Sequence, residues 1–526
     1  MSSRRTVNSS QSSPPSSSEP DAVVPIPWEP KDYMKKAGAW LVARSAAALF
    51  LDPGMGKTSI CYAAVKLLKK KKLAKGALVV ALRRPAVSVW PQERAKWTDF
   101  NELSVGLLRG PKKEHVLNEE HDVFVITFDT LDWLCGPPKP NFNRMPEPER
   151  TEQKALYKAE VKAAEARLKV LLSKVDILII DELSKMKNRE TRRHKVLDKH
   201  LGRFARRWGL TGSPAANGLE NLFGQVYALD LGKAFGPYIT YYRQRYFDDK
   251  LAYPGDPYPT RVLKPGAKEE IYRAIKPLAL RLDAEDYLKL PQTVPVPLRF
   301  ELEPAHRAQY DEMYEEMILA LPSGELFTAK AASTVSMKCR QITSGALYHD
   351  KVDPLTGEPR TGPRKWTALH DEKIQATLDL IDELQGAQLL IAYEFQHELE
   401  RLIKALGKDT AYIGKGISDK KALAYERAWN AGELPVLVAH PQSMGHGLNL
   451  QGSSAHHILW FSGTWDFELF DQFNRRLKRQ GSTAERLFVY SLIARDTVDE
   501  AVYNDKFQKR NEQKSLLDAL RTRVRR

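Results

Sequence analysis

The chain is poor in cysteine: its 526 residues hold only Cys61, Cys135 and Cys339, far apart. So few thiols at such spacing exclude a disulfide framework and a zinc knuckle, and read as three reduced thiols. No apolar run approaches the ~18–20 residues that a membrane-spanning helix needs, so no membrane partner is expected. A charged start, apolar centre and small-residue cleavage site are also lacking, and the expectation is a cytoplasmic protein. No repeat of solenoid length is present. Disorder throughout is excluded by a hydrophobic content of 42% and an aromatic content of 9%. At roughly 100–200 residues per domain the length accommodates two to four domains. What is in excess is positive charge: 81 Lys and Arg against 66 Asp and Glu, a formal net charge of +15. That suits a polyanionic partner, and equally a set of solvated lysine faces.

Residues 1–22 open with a Ser- and Pro-rich stretch with almost no large apolar side chains, which reads as a disordered tail. From Val23 short apolar runs alternate with helical periods. Ala46–Leu51, Ala77–Leu82, Asp122–Phe128 and Asp176–Ile180 read as buried parallel strands, and Gln388–Tyr393, Leu434–Ala439, His456–Phe461 and Arg486–Ile493 as a second set. Two βα sets predict an α/β protein of two parallel-sheet lobes with helical insertions between them. The expected divisions are an N-terminal lobe over 23–230 and a helical elaboration and linker over 231–300. A C-terminal lobe with a helical start, including Pro304–Leu321, follows over 301–505, and a basic tail over 506–526. Within lobe one, Tyr157, Val161, Ala164, Leu168, Leu171 and Val175 recur at helical spacing. With the Pro-rich run before them they predict a helical insertion near 137–175.

Three segments carry chemistry. In the first, the apolar run to Leu51 gives way to Asp52-Pro53-Gly54-Met55-Gly56-Lys57-Thr58 and then to a helix with an apolar face of Ile60, Ala64 and Leu67. Such a strand–turn–helix cradles phosphate on backbone N–H groups at a helix N-terminus. Lys57 is placed to reach the β and γ phosphates, and Thr58 to give a hydroxyl to Mg²⁺. The first glycine of the usual pattern is replaced by Leu51.

In the second segment, the strand ending Ile179-Ile180-Asp181-Glu182 places two carboxylates at the carboxyl edge of a parallel sheet, where the phosphate loop also lies. Asp181 can hold Mg²⁺ while Glu182 orients and deprotonates water. In the third, Arg476 and Arg479 are three apart and share a helix face, with Phe470, Phe473 and Leu477 on another. The guanidinium fork suits γ-phosphate, although a solvated basic helix has the same pattern.

In this order along the chain, the segments resemble the superfamily-two helicases of the Swi/Snf-like translocase branch. Gly54–Thr58 resembles motif I, Asp181–Asn188 motif II, Leu210–Asn217 motif III, Ser443–Leu450 motif V and Gln472–Gly481 motif VI. Motif VI departs from the branch at Lys478 and Ser482, where His and Gln are frequent, and Tyr33-Met34 stands where an adenine-reading Gln is usual. No chromatin-reading, zinc or nuclease module accompanies the motifs, as in compact bacterial and phage members of the branch.

The resemblance implies two RecA-like lobes that close on ATP and Mg²⁺, with Lys57, Asp181, Glu182, Arg476 and Arg479 as the catalytic set. The implied nucleotide contacts are Tyr33, Asp52, Pro53, Gly54, Met55, Gly56, Lys57, Thr58, Ser59, Gly447 and Gln472, with Thr58 and Asp181 at the metal. Thr211, Gly212, Ser213, Pro214 and Asn449 are implied to couple nucleotide state to nucleic-acid grip. Arg84, Pro85, Trp90, Thr127, Phe128, Tyr393 and Ser443 are implied to hold nucleic-acid phosphates, although large aromatics such as Trp90 are more often core. The expected function is ATP-driven movement along DNA, duplex favoured. An RNA helicase, and a nucleotide-gated scaffold without productive hydrolysis, are the alternatives.

Overall fold

The computed structural model describes residues 24–250, 260–319, 329–349, 365–444 and 448–520. Strands β1 (Ala46–Leu51), β2 (Ala77–Ala81), β3 (Val105–Leu107), β4 (Val123–Thr127), β5 (Ile177–Asp181) and β6 (Arg206–Thr211) belong to the first lobe. A hairpin of β7 (Phe247–Lys250) and β8 (Thr260–Leu263) follows, then β9 (Ala279–Leu282). The first sheet has seven strands in the order β3-β4-β2-β5-β6-β1-β9, and every pair is parallel.

Side-chain alternation feeds two cores, one on each face of this sheet. Phe50, Val80, Ile126 and Ile180 enter one, while Leu49, Val79, Val125 and Ile179 enter the other. A strand buried on both faces must be apolar at every position, which is why these runs stand out in the sequence.

The second lobe uses β10 (Gln292–Phe300), β13 (Leu389–Ala392), β14 (Ala411–Ile413), β15 (Val436–Ala439), β16 (His457–Trp460) and β17 (Arg486–Ala494). Their order is β10-β17-β16-β13-β15-β14, again all parallel. A small hairpin of β11 (Ala346–Tyr348) and β12 (Trp366–Ala368) lies beside it. The same alternation divides Leu390, Leu437 and Ile458 from Ile391, Val438 and Leu459 on the two faces. The two RecA-like lobes expected from the sequence are present.

The stretch 231–300 is not only helix and linker. β9 pairs with β1 and closes the first sheet, and β10 pairs with β17 along nine residues and opens the second. The lobes therefore divide between Leu282 and Gln292. Pro295 and Pro297 hide β10 in the sequence, because proline argues against a central strand and is tolerated only at an edge, where β10 lies. The insertion helix runs Glu149–Lys174, and its buried residues, Ala164, Leu168 and Leu171, lie in its second half. The first half is only partly covered, Tyr157 meeting Phe142 at 5.8 Å between ring centroids, and Val161, on the expected apolar face, is 38% exposed. The helix expected at Pro304–Leu321 runs Pro304–Leu319, beyond which its end lies outside the described residues. The tail 1–22 and residues 521–526 also lie outside them, whereas 506–520 continue the helix Val498–Leu520.

Candidate active site

β1 delivers the chain into a turn where Gly54 has φ 85° and Gly56 φ 70°, a backbone region costly for any residue with a Cβ. A Cβ on Gly56 would also lie 2.9 Å from the Met34 methyl. The helix Lys57–Lys70 starts at once, so its first N–H groups face the turn. Lys57 is folded back, its Nζ donating to the carbonyls of Leu51 (2.8 Å) and Asp52 (3.2 Å). Burial pulls its pKa below the ordinary lysine value, opposed by Glu182 and Asp181.

Asp181 ends β5 and accepts a hydrogen bond from the Trp90 indole at 2.9 Å. Glu182 takes φ 74°, a left-handed conformation that L-residues avoid unless their surroundings enforce it. Here Thr211 Oγ1 (2.7 Å) and Ser184 Oγ (2.9 Å) both reach Glu182 Oε1. Burial raises the pKa of both acids, and for Glu182 the neighbouring Glu468 raises it further.

Glu468 comes from the other lobe. It lies on the helix Phe467–Asn474, whose N-cap Asp466 accepts from the Glu468 and Leu469 amides. Its carboxylate is 4% exposed and receives Ser184 Oγ at 2.7 Å, Lys185 Nζ at 3.2 Å and Gln472 Nε2 at 3.1 Å. One hydroxyl of lobe one thus stands between a carboxylate of each lobe. Further contacts join the lobes: Ser213 Oγ donates to Asp471 (3.1 Å), Asn217 to Asp466 (3.2 Å), and Arg475 pairs with Asp52 (2.7 Å). Burial disfavours the Asp52 carboxylate, but Arg475 and Arg281 overcome that and hold its pKa far below the carboxylate range.

Following that helix, Arg476 Nη1 donates to the Leu448 carbonyl at 3.1 Å, and Arg479 contacts Asn449 Oδ1 and the Arg475 carbonyl. Burial lowers both pKa values, Arg479 to about 10, and Arg476 is lowered further by Arg479 and Arg84. The two sides enclose a cleft of about 280 Å³, near the lower end of ligand-pocket sizes. Pro53, Gly54, Gly56, Lys57, Thr58, Asp181, Glu182, Gly212 and Ser213 line it from lobe one, and Asn449, Gln472, Arg476 and Arg479 from lobe two. Crowded cations that resist protonation and buried acids that resist ionisation suit a polyanion bound with a divalent cation. The Thr58 hydroxyl and Asp181 carboxylate are the hard oxygen donors that Mg²⁺ takes.

Several side chains of the expected set point elsewhere. The Asp52 carboxylate faces Arg281 and Arg475, Met55 is fully buried in the core, and Ser59 Oγ donates to Glu93 at 2.6 Å. Tyr33 is 2% exposed and packs on Tyr287, not on the cleft. Gly447 lies outside the described residues. Four side chains expected to touch nucleic acid are buried: Trp90 (0% exposed), Thr127 (1%), Phe128 (8%) and Tyr393 (2%). Packing leaves these side chains little surface, and the Trp90 indole donates to Asp181. Arg84 donates to the Ser443 carbonyl at 3.1 Å, so this pair joins the lobes. Pro85 lines the cleft. Sequence reasoning missed Arg281, Glu468 and Arg475. Of these only Arg475 left a local signal, its i,i+4 pairing with Asp471 at 2.7 Å.

Residues 33–348 match the SNF2-related domain. Protein p41 of Acyrthosiphon pisum secondary endosymbiont phage 1 is 30% identical over 490 residues, which span 89% of this chain and 93% of that one. The DNA annealing helicase and endonuclease ZRANB3 of Mus musculus is 24% identical over 326 residues, 58% of this chain and 30% of that protein. The chain thus spans under a third of the length of ZRANB3. Among solved structures, the Sulfolobus solfataricus SWI2/SNF2 ATPase core in complex with dsDNA is 19% identical with a TM-score of 0.37, covering 93% of this chain and 92% of that one. Among the described residues no helix is long and apolar enough to cross a membrane.

Proposed function

The chain belongs to the SNF2-related family, in the Swi/Snf-like branch of the superfamily-two helicases, and from that premise we propose that it hydrolyses ATP between its lobes to move along DNA, duplex in preference to single strands. One observation carries the reading: a single cleft is walled by Lys57, Asp181 and Glu182 from lobe one and by Gln472, Arg476 and Arg479 from lobe two. The backbone of Pro53–Thr58 receives the triphosphate, Lys57 reaches its outer phosphates, and the two arginines meet the γ phosphate. Glu182 takes a proton from water as the water oxygen bonds to the γ phosphorus and the bond to the ADP oxygen breaks. Thr58 and Asp181 would hold Mg²⁺, which would neutralise phosphate charge.

Thr211 touches the base and Ser213 touches Asp471 of lobe two, so the 211–214 turn is suited to transmit nucleotide state to lobe separation. The net charge of +15 and the DNA-directed name of the mouse relative support DNA as the track.

The test is steady-state ATPase with duplex DNA, single-stranded DNA or RNA at one salt concentration, since phosphate contacts make binding steeply salt-dependent. Duplex DNA is expected to stimulate most. Greater stimulation by RNA overturns the DNA assignment, and no turnover with any of them favours the scaffold.

Glu468 acts here as a positioning residue that reports lobe closure to the base. The charges facing Glu182 are Glu468, Lys185, Lys57 and Arg476, and Lys187 faces Glu468 at 3.6 Å. Closure brings a second carboxylate near Glu182 and raises its proton affinity, so activity is lost as pH falls through that raised pKa. Glu468→Gln keeps the shape and removes the charge, and is expected to move the acid limb of the kcat profile to lower pH. An unmoved limb refutes this role.

A further inference from the structure

Outside the cleft, one cluster of metal-ligating side chains joins two elements of lobe two. His306 lies in the first turn of the helix Pro304–Leu319, and His370 and Glu372 lie at the start of the helix Glu372–Glu383. His306 Nδ1 is 2.7 Å from Glu372 Oε1 and His370 Nδ1 is 2.8 Å from Glu372 Oε2. The imidazoles stack at 4.9 Å between centroids, and the three ligand atoms all lie within 4.8 Å of one another. We propose that His306, His370 and Glu372 bind a divalent transition cation of the zinc class.

The contact between His370 and Glu372 decides between a hydrogen bond and a metal. His370 Nε2 lies 2.8 Å from the Ile342 carbonyl, which can only accept. In the neutral ring the proton is therefore on Nε2, and Nδ1 presents a lone pair to a carboxylate. Two acceptors do not hold each other, and both Nδ1 and Glu372 Oε2 are buried without a hydrogen-bond partner. A cation reconciles them: ligand atoms ~2.0–2.2 Å from one tetrahedral zinc ion lie roughly 3.4 Å apart, so these contacts need open by only about half an ångström to admit it. The Nε2–H bond to a backbone carbonyl is also the outer contact that fixes a metal-binding imidazole.

The rest of the surroundings agree with this assignment. Glu372 Oε1 accepts the Glu303 amide at 2.9 Å, which orients the carboxylate. Arg401, the nearby cation, is spent on the His370 carbonyl and on Asp371 at 2.8 Å, which leaves the charge of Glu372 for the metal. His370 is 1% exposed and Glu372 15%, whereas His306 is 23% exposed, so the third ligand has room to close and solvent can complete the sphere. Two imidazoles and a carboxylate match zinc in hardness, and match Mg²⁺ poorly.

The test uses the full chain, stripped with a chelator and titrated with zinc chloride against a chromogenic competitor. One equivalent per chain is expected, weakened by ~100-fold in His306→Ala. The change sits on a partly exposed side chain, so the fold is preserved. Glu372→Gln, which keeps the Glu303 contact, is expected to weaken binding as well. Cobalt(II) should give a visible d–d band in the wild type that both variants lose, and zinc should raise the melting temperature of the wild type alone. No saturable equivalent, or wild-type affinity in both variants, overturns the site.

Discussion

Glu182→Gln is expected to lower the ATPase turnover by roughly 10³-fold, the middle of the range for losing a general base, while ATP affinity changes little. The amide has the carboxylate's shape and still accepts from Thr211 Oγ1 and Ser184 Oγ at the same oxygen. It therefore keeps the left-handed backbone at φ 74° and removes only the ability to take a proton. Lys57, Thr58 and the 53–58 turn are untouched, so triphosphate binding survives. Single-turnover hydrolysis and nucleotide-binding fluorescence measured on one preparation separate the two effects. Turnover within ~10-fold of wild type would remove Glu182 from the base role.

The parts of this site that the sequence discloses are those built by consecutive residues. A strand of apolar residues entering Gly54-Met55-Gly56-Lys57-Thr58 is complete within one turn, and so is the acid pair that ends β5. Both can be read without knowing what packs against them. Arg475 and Asp52 are over 400 residues apart in the numbering, and neither segment signals that they meet at 2.7 Å. Glu468 is equally silent, since one acid in the first turn of a helix reads as an ordinary complement to the helix dipole.

Strand β9 is only four residues long, yet it carries Arg281 to the phosphate loop. Part of the expected nucleic-acid face is hidden for a different reason. Position along a motif fixes where a backbone lies and leaves open which way a side chain points, and Trp90, Thr127, Phe128 and Tyr393 point inward.

Arg476→Ala and Arg479→Ala are each expected to reduce kcat by about 10³-fold or more, the contribution of an arginine that meets transition-state charge on a transferring phosphoryl group. Arg479, with a pKa lowered only to about 10, remains charged at neutral pH. Lysine should not restore activity at either position, because an ammonium lacks the planar fork. These losses should come without loss of stability in the nucleotide-free protein. Burial and the mutual repulsion among Arg84, Arg476 and Arg479 make the cluster costly to the resting fold, so truncating Arg476 should leave the melting temperature unchanged or raise it. Such a trade of stability for activity is what a site built for an anion predicts. Arg475→Ala supplies the contrast, since Arg475 holds Asp471 and Asp52, both at 2.7 Å. Its removal leaves the buried Asp52 with Arg281 and the Ala284 amide and is expected to lower the melting temperature. A melting temperature that falls as far in Arg476→Ala as in Arg475→Ala would mean that Arg476 supports the fold and does not serve phosphoryl transfer.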